Sequence, residues 1–222
     1  MQYHGGMTPT LSTTAYAVLG LLALRPMTPY ELTQQMQRSL DYCWPTSERS
    51  LYDQPDRLVA AGYAEVVGAG EPRRYTATES GRAALRRWLG EGSAMPKFQN
   101  EPLLRVLFAD HGTIDDLRRV LGDLRSHVAA RRSAGVAQLE TYLAGDGLFP
   151  ERTHIVTVVG DLIGRILGVL DDWAADVEAH TADWTTTTES STSEAIQSRL
   201  RAVVAREAER AAHANRPRPG AA

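Results

Sequence analysis

Residues 28–77 read TPYELTQQMQRSLDYCWPTSERSLYDQPDRLVAAGYAEVVGAGEPRRYTA, and the order of signals inside them decides the fold. Thr28, Pro29 and Glu31 spell a helix start: a threonine N-cap, a proline at the first helical position, and a glutamate placed to close a capping box. That helix is predicted to run to about Leu40, before the Trp44-Pro45 break. A third helix follows from Ser47 to Ala61, with Leu51, Leu58 and Val59 toward a core and Glu48, Arg49, Asp53, Gln54, Asp56 and Arg57 outside. Gly62 closes it as a C-cap. Ala64–Val67 and Arg73–Ala77 are short β-prone runs around Gly68, Ala69, Gly70, Glu71 and Pro72, the punctuation of a hairpin turn.

Working outward, Ser12 to Leu24 carries Tyr16, Val18, Leu19, Leu21, Leu22 and Leu24. It is too apolar for a surface helix and too short to span a bilayer, so it reads as a core helix. On the other side, Thr78 caps a helix holding Leu85, Trp88 and Leu89 that stops at Gly90. Helix, helix, turn, helix, hairpin and helix over residues 11–92 is the order of a winged helix-turn-helix, a DNA-binding architecture. The fold class expected is mainly α with one small β-hairpin, this N-terminal domain being followed by an α-helical dimerisation domain.

Three segments carry a resemblance. YAVLGLLALRPMTPYELTQQM (16–36), WPTSERSLYDQPDRLVAAGYAEVV (44–67) and RRYTATESGRAALRRWL (73–89) resemble the PadR family of bacterial transcriptional regulators. In that family a Tyr-Glu-Leu helix, a Tyr-containing recognition helix and a Tyr-Thr-x-Thr-x-x-Gly helix start recur. FQNEPLLRVLFAD (98–110) opens a region similar to the family's longer C-terminal helical domain, with looser motifs. Two positions depart from the pattern. Pro55 stands where the family has an apolar helix residue, and Val59-Ala60-Ala61 replaces an acidic step. A proline inside a helix costs roughly 3 kcal/mol beyond the first turn. The recognition helix is therefore expected to be kinked or to begin later than Ser47.

Formal net charge is −3, at first sight a poor match to nucleic acid. The acid excess is local, however. Nine arginines balance nine acids in residues 1–92, whereas residues 101–180 hold eight arginines and thirteen acids. A neutral module can bind DNA if its cations share a face, and arginine's planar fork suits phosphate and guanine edges. The third helix should enter the major groove with Arg49, Ser50, Gln54 and Arg57 toward base edges and Ser47 and Tyr52 on phosphate. Arg73 and Arg74 on the wing would reach the backbone or minor groove. Against this, Arg57 could pair with Asp53 or Asp56, and Tyr52 could simply pack. Tyr30 and Glu31 read as scaffold and cap.

The domain from 98 to 180 reads as a short helix at Pro102–Asp110, a long one from a Thr113 cap to about Leu143, and another over roughly Glu151–His180. In the last, Gly160, Gly164 and Gly168 recur every four residues amid apolar neighbours including Ile163 and Leu167. Such a small-residue ridge admits a close second helix, and Asp161 and Arg165 argue against a membrane span. A helix so apolar must be buried by its own chain or by a second copy; the resemblance implies a homodimer. It also implies a repressor whose DNA affinity responds to a small aromatic or lipophilic effector, for which Trp44, Trp88, Phe98 and Phe108 are the candidate lining.

Residues 181–193 read as a polar linker without packing potential, 194–213 as a further helix in which Ser191 and Glu194 could form a capping box, and 1–10 and 214–222 as disordered ends. Cys43 alone provides neither a disulfide nor a cysteine metal site, and is expected half-buried beside Trp44. No Lys or Arg precedes the first apolar run, so a signal peptide is not expected and the cytoplasm is. The six histidines have no ligand spacing, Asp171 and Asp172 diverge on a helix, and Gly68–Gly70 is no phosphate loop. Neither enzyme, cofactor nor metal is expected. The expected partner is a double-stranded DNA operator; the rival is a winged helix used for protein contact.

Overall fold

Ser12, Thr28, Ser47 and Thr78 each begin a helix by accepting a backbone N–H three residues on, from Ala15, Glu31, Ser50 and Gly81. These caps set the element boundaries of the first half of the chain. The computed structural model describes residues 11–188 and 194–214. The expectations for residues 1–10, for 189–193 including the Ser191 cap, and for 215–222 lie outside the described residues. The chain forms two compact units that divide between Lys97 and Phe98.

In the first unit the helices are α1 (Thr13–Leu22), α2 (Pro29–Ser39), α3 (Glu48–Ala60) and α4 (Glu79–Gly90), with strands β1 (Ala64–Val67) and β2 (Arg74–Ala77) between the last two. Thr28 and Glu31 form the expected capping box on α2. The core gathers Val18, Leu19 and Leu22 of α1, Met27, Leu32 and Met36 of and before α2, and Leu51 and Leu58 of α3, all at most 2% exposed. Each such side chain contributes about 1.5–3 kcal/mol by leaving water. α3 ends in a Schellman motif: the Gly62 N–H bonds Val59 O, the Tyr63 N–H bonds Leu58 O, and Gly62 takes φ 76°. The strands are antiparallel, with Ala64 opposite Ala77 and Val67 opposite Arg74. Met27 adds an isolated bridge to Tyr75, so the loop before α2 lies along the wing.

Three expectations are corrected here. α3 begins at Glu48, one residue after its Ser47 cap, so Pro55 does not delay the start. Pro55 lies inside the helix and is buried, on the face toward the core. Gln54, expected outside, is only 7% exposed, because α3 packs against α1, α2 and β1 and so buries a wide face. Cys43, expected half-buried, is exposed, its thiol bonded to Leu40 O.

The second unit contains α5 (Glu101–Leu107), a 3-10 turn at Ala109–His111, α6 (Ile114–Leu143), a 3-10 turn at Pro150–Arg152, α7 (Thr153–His180) and α8 (Glu194–Ala214). Thr113 and Asp116 form a capping box at the start of α6. α6 and α7 run antiparallel: Arg125 of α6 bridges Asp171 and Glu178 of α7, while Gly160 of α7 faces Leu139 of α6. Leu117, Leu121, Leu124 and Val128 of α6 are buried, as are Leu167 and Ala174 of α7. Elsewhere α7 stays open, with Val158 70% and Val169 67% exposed. Pro150–His180 is long and apolar enough, by length and composition only, to cross a membrane.

The polar segment after α7 is more ordered than expected. Thr181 is buried and its hydroxyl bonds Val177 O. Arg118 donates to the carbonyls of Ala182 and Trp184, and the Thr187 hydroxyl to that of Gly112. Residues 181–188 thus pack onto the second unit, because hydroxyls and carbonyls find partners at the start of α6 that composition does not reveal.

Candidate nucleic-acid interface

α3 presents Glu48, Arg49, Tyr52, Asp53, Asp56 and Arg57 to solvent, while Leu51, Gln54, Pro55 and Leu58 face the core. The split follows from the 3.6-residue period, which places 49, 52, 53, 56 and 57 on one side. Two side-chain bonds orient the helix. Gln37 Nε2 of α2 donates to Glu48 Oε1 at 2.9 Å, and Trp44 Nε1, in the turn, donates to Thr14 Oγ1 of α1 at 3.0 Å. Ser47 uses its oxygen to cap the helix, bonding the Ser50 N–H at 3.3 Å. Arg57 lies 3.9 Å from Asp53, a long, solvent-exposed pair that holds the guanidinium only weakly.

The wing is tied to both helices. The Tyr75 hydroxyl donates to Asp56 Oδ1 of α3 at 2.8 Å. Burial pushes the Tyr75 phenol up, and the Asp56 carboxylate adds to this, while neighbouring Arg73 opposes it. On the other side of β2, Arg74 Nη2 donates to Pro26 O at 2.9 Å and pairs with Glu31 Oε2 at 3.1 Å. Burial pushes the Glu31 carboxyl up, but the Thr28 amide, Arg74 and the Thr28 hydroxyl outweigh it and hold the group below the usual carboxylate range. Arg73 lies 3.9 Å from Glu71, acts on the Tyr75 hydroxyl, and stays 63% exposed at its side chain.

The predicted DNA-facing residues therefore divide. Ser47, Arg49, Tyr52, Arg57 and Arg73 are exposed and Ser50 half-exposed, all on α3 or the hairpin. Gln54 is withdrawn into the core, and Arg74 is engaged inside its own domain. Tyr30, expected as scaffold, is 60% exposed at the start of α2, its hydroxyl accepting from Gln34 Nε2 at 2.7 Å. The signal for Tyr30 was present: a residue following a proline at the first helical position stands away from the core-facing Leu32 and Met36. The Glu31–Arg74 and Asp56–Tyr75 pairs had no local signal.

Of the four aromatic residues expected to line one ligand site, Trp44 and Trp88 belong to the first unit and Phe98 and Phe108 to the second. Trp88 stacks on Tyr16 at 4.9 Å within the first unit, and Trp44 bonds Thr14. In the second unit Phe98 lines a largely apolar cavity of about 450 Å³ with Asn100, Leu103, Arg165, Ile166, Val169, Leu170 and Trp173. Phe108 is exposed and not among its lining. Of the residues expected at a dimer contact, Leu167 is buried in its own chain and Ile163 is half-buried. Gly160 packs on Leu139, whereas Gly164 and Gly168 face open space. Among the described residues no cluster of His, Cys, Asp or Glu could hold a metal ion.

Residues 18–87 match the sequence profile of the transcriptional regulator PadR-like family. The negative transcriptional regulator PadR of Bacillus subtilis is 27% identical over 99 residues, covering 42% of this chain and 54% of that protein. The match thus spans about half the length of that relative. The structure of Bacillus subtilis PadR in complex with operator DNA is similar with a TM-score of 0.65 at 20% identity, over 78% of this chain and 99% of that one. The complex of the same regulator with p-coumaric acid gives 0.56 at 19% identity, over 75% and 99%. These two likenesses establish the fold over both units. The profile match falls on the winged helix itself, from α1 through the wing to α4, and it is this part of the chain that is similar to the PadR-like family of transcriptional regulators.

Proposed function

We propose that this protein is a cytoplasmic, homodimeric repressor that binds operator DNA, not an enzyme. The observation that carries the reading is the exposure of Arg49, Tyr52 and Arg57 along one side of α3 with Arg73 held beside it on the wing. α3 would lie in the major groove, Arg49, Ser50 and Arg57 toward base edges, Ser47 and Tyr52 toward phosphate, and Arg73 at the adjoining backbone or minor groove. Repression is supported by the Bacillus subtilis relative, a negative transcriptional regulator.

Dimerisation is supported by α7, whose Ile155, Val158, Val159, Leu162 and Val169 are exposed in the single chain. Gly164 beside them leaves room for a second helix. Two copies would place two recognition helices on half-sites one DNA turn apart. An effector role for a small aromatic or lipophilic molecule is supported by the apolar cavity lined by Phe98 and Trp173, and by the relative solved with p-coumaric acid. Such a molecule changes DNA affinity only by its differential affinity for the two states.

The test is fluorescence anisotropy against tiled duplexes from upstream of the protein's own gene, at two salt concentrations with scrambled competitor. Specific binding that falls steeply with salt supports the regulator. Binding to no duplex by an intact dimer overturns autoregulation, and salt-insensitive capture of a protein would favour the protein-contact use of the winged helix.

A further inference from the structure

β2 places consecutive side chains on opposite sides, and the structure uses each side differently. Tyr75 points at α3, where its hydroxyl meets Asp56 at 2.8 Å, and Arg73 acts on the same hydroxyl. Arg74 points at the start of α2, where one guanidinium nitrogen serves Pro26 O at 2.9 Å and both Glu31 oxygens at 3.1 and 3.2 Å. Glu31 is itself fixed, since its Oε2 accepts the Thr28 N–H at 2.7 Å in the capping box. Between these contacts the backbones of Met27 and Tyr75 exchange both hydrogen bonds, at 2.8 and 3.0 Å.

We propose that Arg74 is a positioning residue of the DNA-binding surface: by gripping Glu31 and the Pro26 carbonyl it fixes the wing strand to α2, and so sets where Arg73 stands relative to α3. This rests on the DNA-binding reading and refines it, because it removes Arg74 from the contacts and makes its neighbour depend on it. An arginine reaching DNA would have to surrender a charge-assisted pair and a carbonyl bond, leaving Glu31 to face the incoming phosphates uncompensated. Arg73 surrenders a 3.9 Å approach to an exposed glutamate and an interaction with the neutral Tyr75 hydroxyl, and no close charge pair. Electrostatics therefore assigns the two arginines different work.

The experiment compares wild type, Arg73→Gln, Arg74→Gln, the double variant and Glu31→Gln, each first checked for an unchanged melting profile. Binding is measured to the duplex found by tiling and to a mixed-sequence duplex over a range of salt. Arg73→Gln is expected to lower the salt slope by about 1.8, the signature of two lost phosphate contacts, one from each copy of the homodimer. Arg74→Gln is expected to weaken binding about tenfold with the slope unchanged, and to cost less than about twofold further in the Arg73→Gln background, since coupled residues are not additive. Glu31→Gln should reproduce Arg74→Gln. A DNA-free measurement runs beside it: amide exchange at Met27 and Tyr75 should quicken about tenfold or more in Arg74→Gln. A slope that falls in Arg74→Gln, additive losses in the double variant, or unaltered exchange at those amides would overturn the proposal. Wild-type protein without salt-sensitive binding would instead show the regulator reading to be wrong, a result the exchange measurement does not imitate.

Discussion

The hydroxyl of Tyr75 donates to the carboxylate of Asp56 at 2.8 Å, joining the wing strand to the exposed side of α3. The bond spans 19 residues and falls beside the surface proposed to meet DNA. Tyr75→Phe keeps the ring and removes only this bond. It should cost about 1 kcal/mol in urea unfolding, the usual net worth of one hydrogen bond. Burial and Asp56 raise the Tyr75 phenol above its ordinary value of 10.0. Its contribution to stability is therefore complete below that value and lost as pH rises through the higher folded one. Wild type should lose stability there more steeply than Tyr75→Phe; parallel curves would refute the assignment.

Gly81 in α4 has a different kind of constraint. A Cβ there would overlap the Tyr63 carbonyl oxygen, a backbone atom that cannot swing aside, and would touch Leu19 Cδ1. Gly81→Ala should destabilise the winged helix by about 1–3 kcal/mol, as overpacking does, despite alanine's better helix propensity. Thermal melting of the purified variant decides it. A Tm equal to wild type would show that α4 shifts freely.

Asp116 at the start of α6 is held at about 2, below its ordinary 3.8, by the Thr113 hydroxyl first, then the Thr113 amide and Arg119. A depressed carboxylate stabilises the fold above its unfolded value, and that contribution disappears as pH falls from about 3.8 toward about 2. Acid titration of helicity should show a loss in this window that Asp116→Asn flattens. Identical acid limbs would count against the capping box as a source of acid sensitivity.

The apolar residues of α7 permit a direct test of assembly. Val158 is 70% and Leu162 58% exposed in the single chain, so charging them leaves the unit's own core intact. Val158→Glu with Leu162→Glu should preserve helical circular dichroism while shifting sedimentation from dimer to monomer. A variant that remains dimeric moves the interface elsewhere.

On α3 itself, Arg57→Ala should relax preference at one base position at a cost of about 1–3 kcal/mol in specific binding, with little effect on mixed-sequence duplexes. Equal losses on both would mark Arg57 as a phosphate contact. Selection of binding sites from a randomised pool separates the two.

What sequence alone determined is what neighbouring residues decide among themselves. Thr28 with Glu31, Thr78 and Thr113 act on amides within three residues, and Gly62 supplies the positive φ that ends α3, so these boundaries and the order of elements were legible before any folding. The candidate site was legible in part for the same reason: a 3.6-residue period separates Arg49, Tyr52 and Arg57 from Leu51 and Leu58. Only the tertiary structure decided the rest. Gln54 is buried because α3 has neighbours on more than one side, which widens the hidden face beyond a single stripe. Arg74 is engaged because the wing folds across 43 residues onto Glu31. Residues 181–188 pack because α6 offers Arg118 and the turn before it offers the Gly112 carbonyl. A side chain's type declares which partners it can accept; which partner it receives depends on what the folded chain brings within three ångströms, and local sequence does not encode that distance.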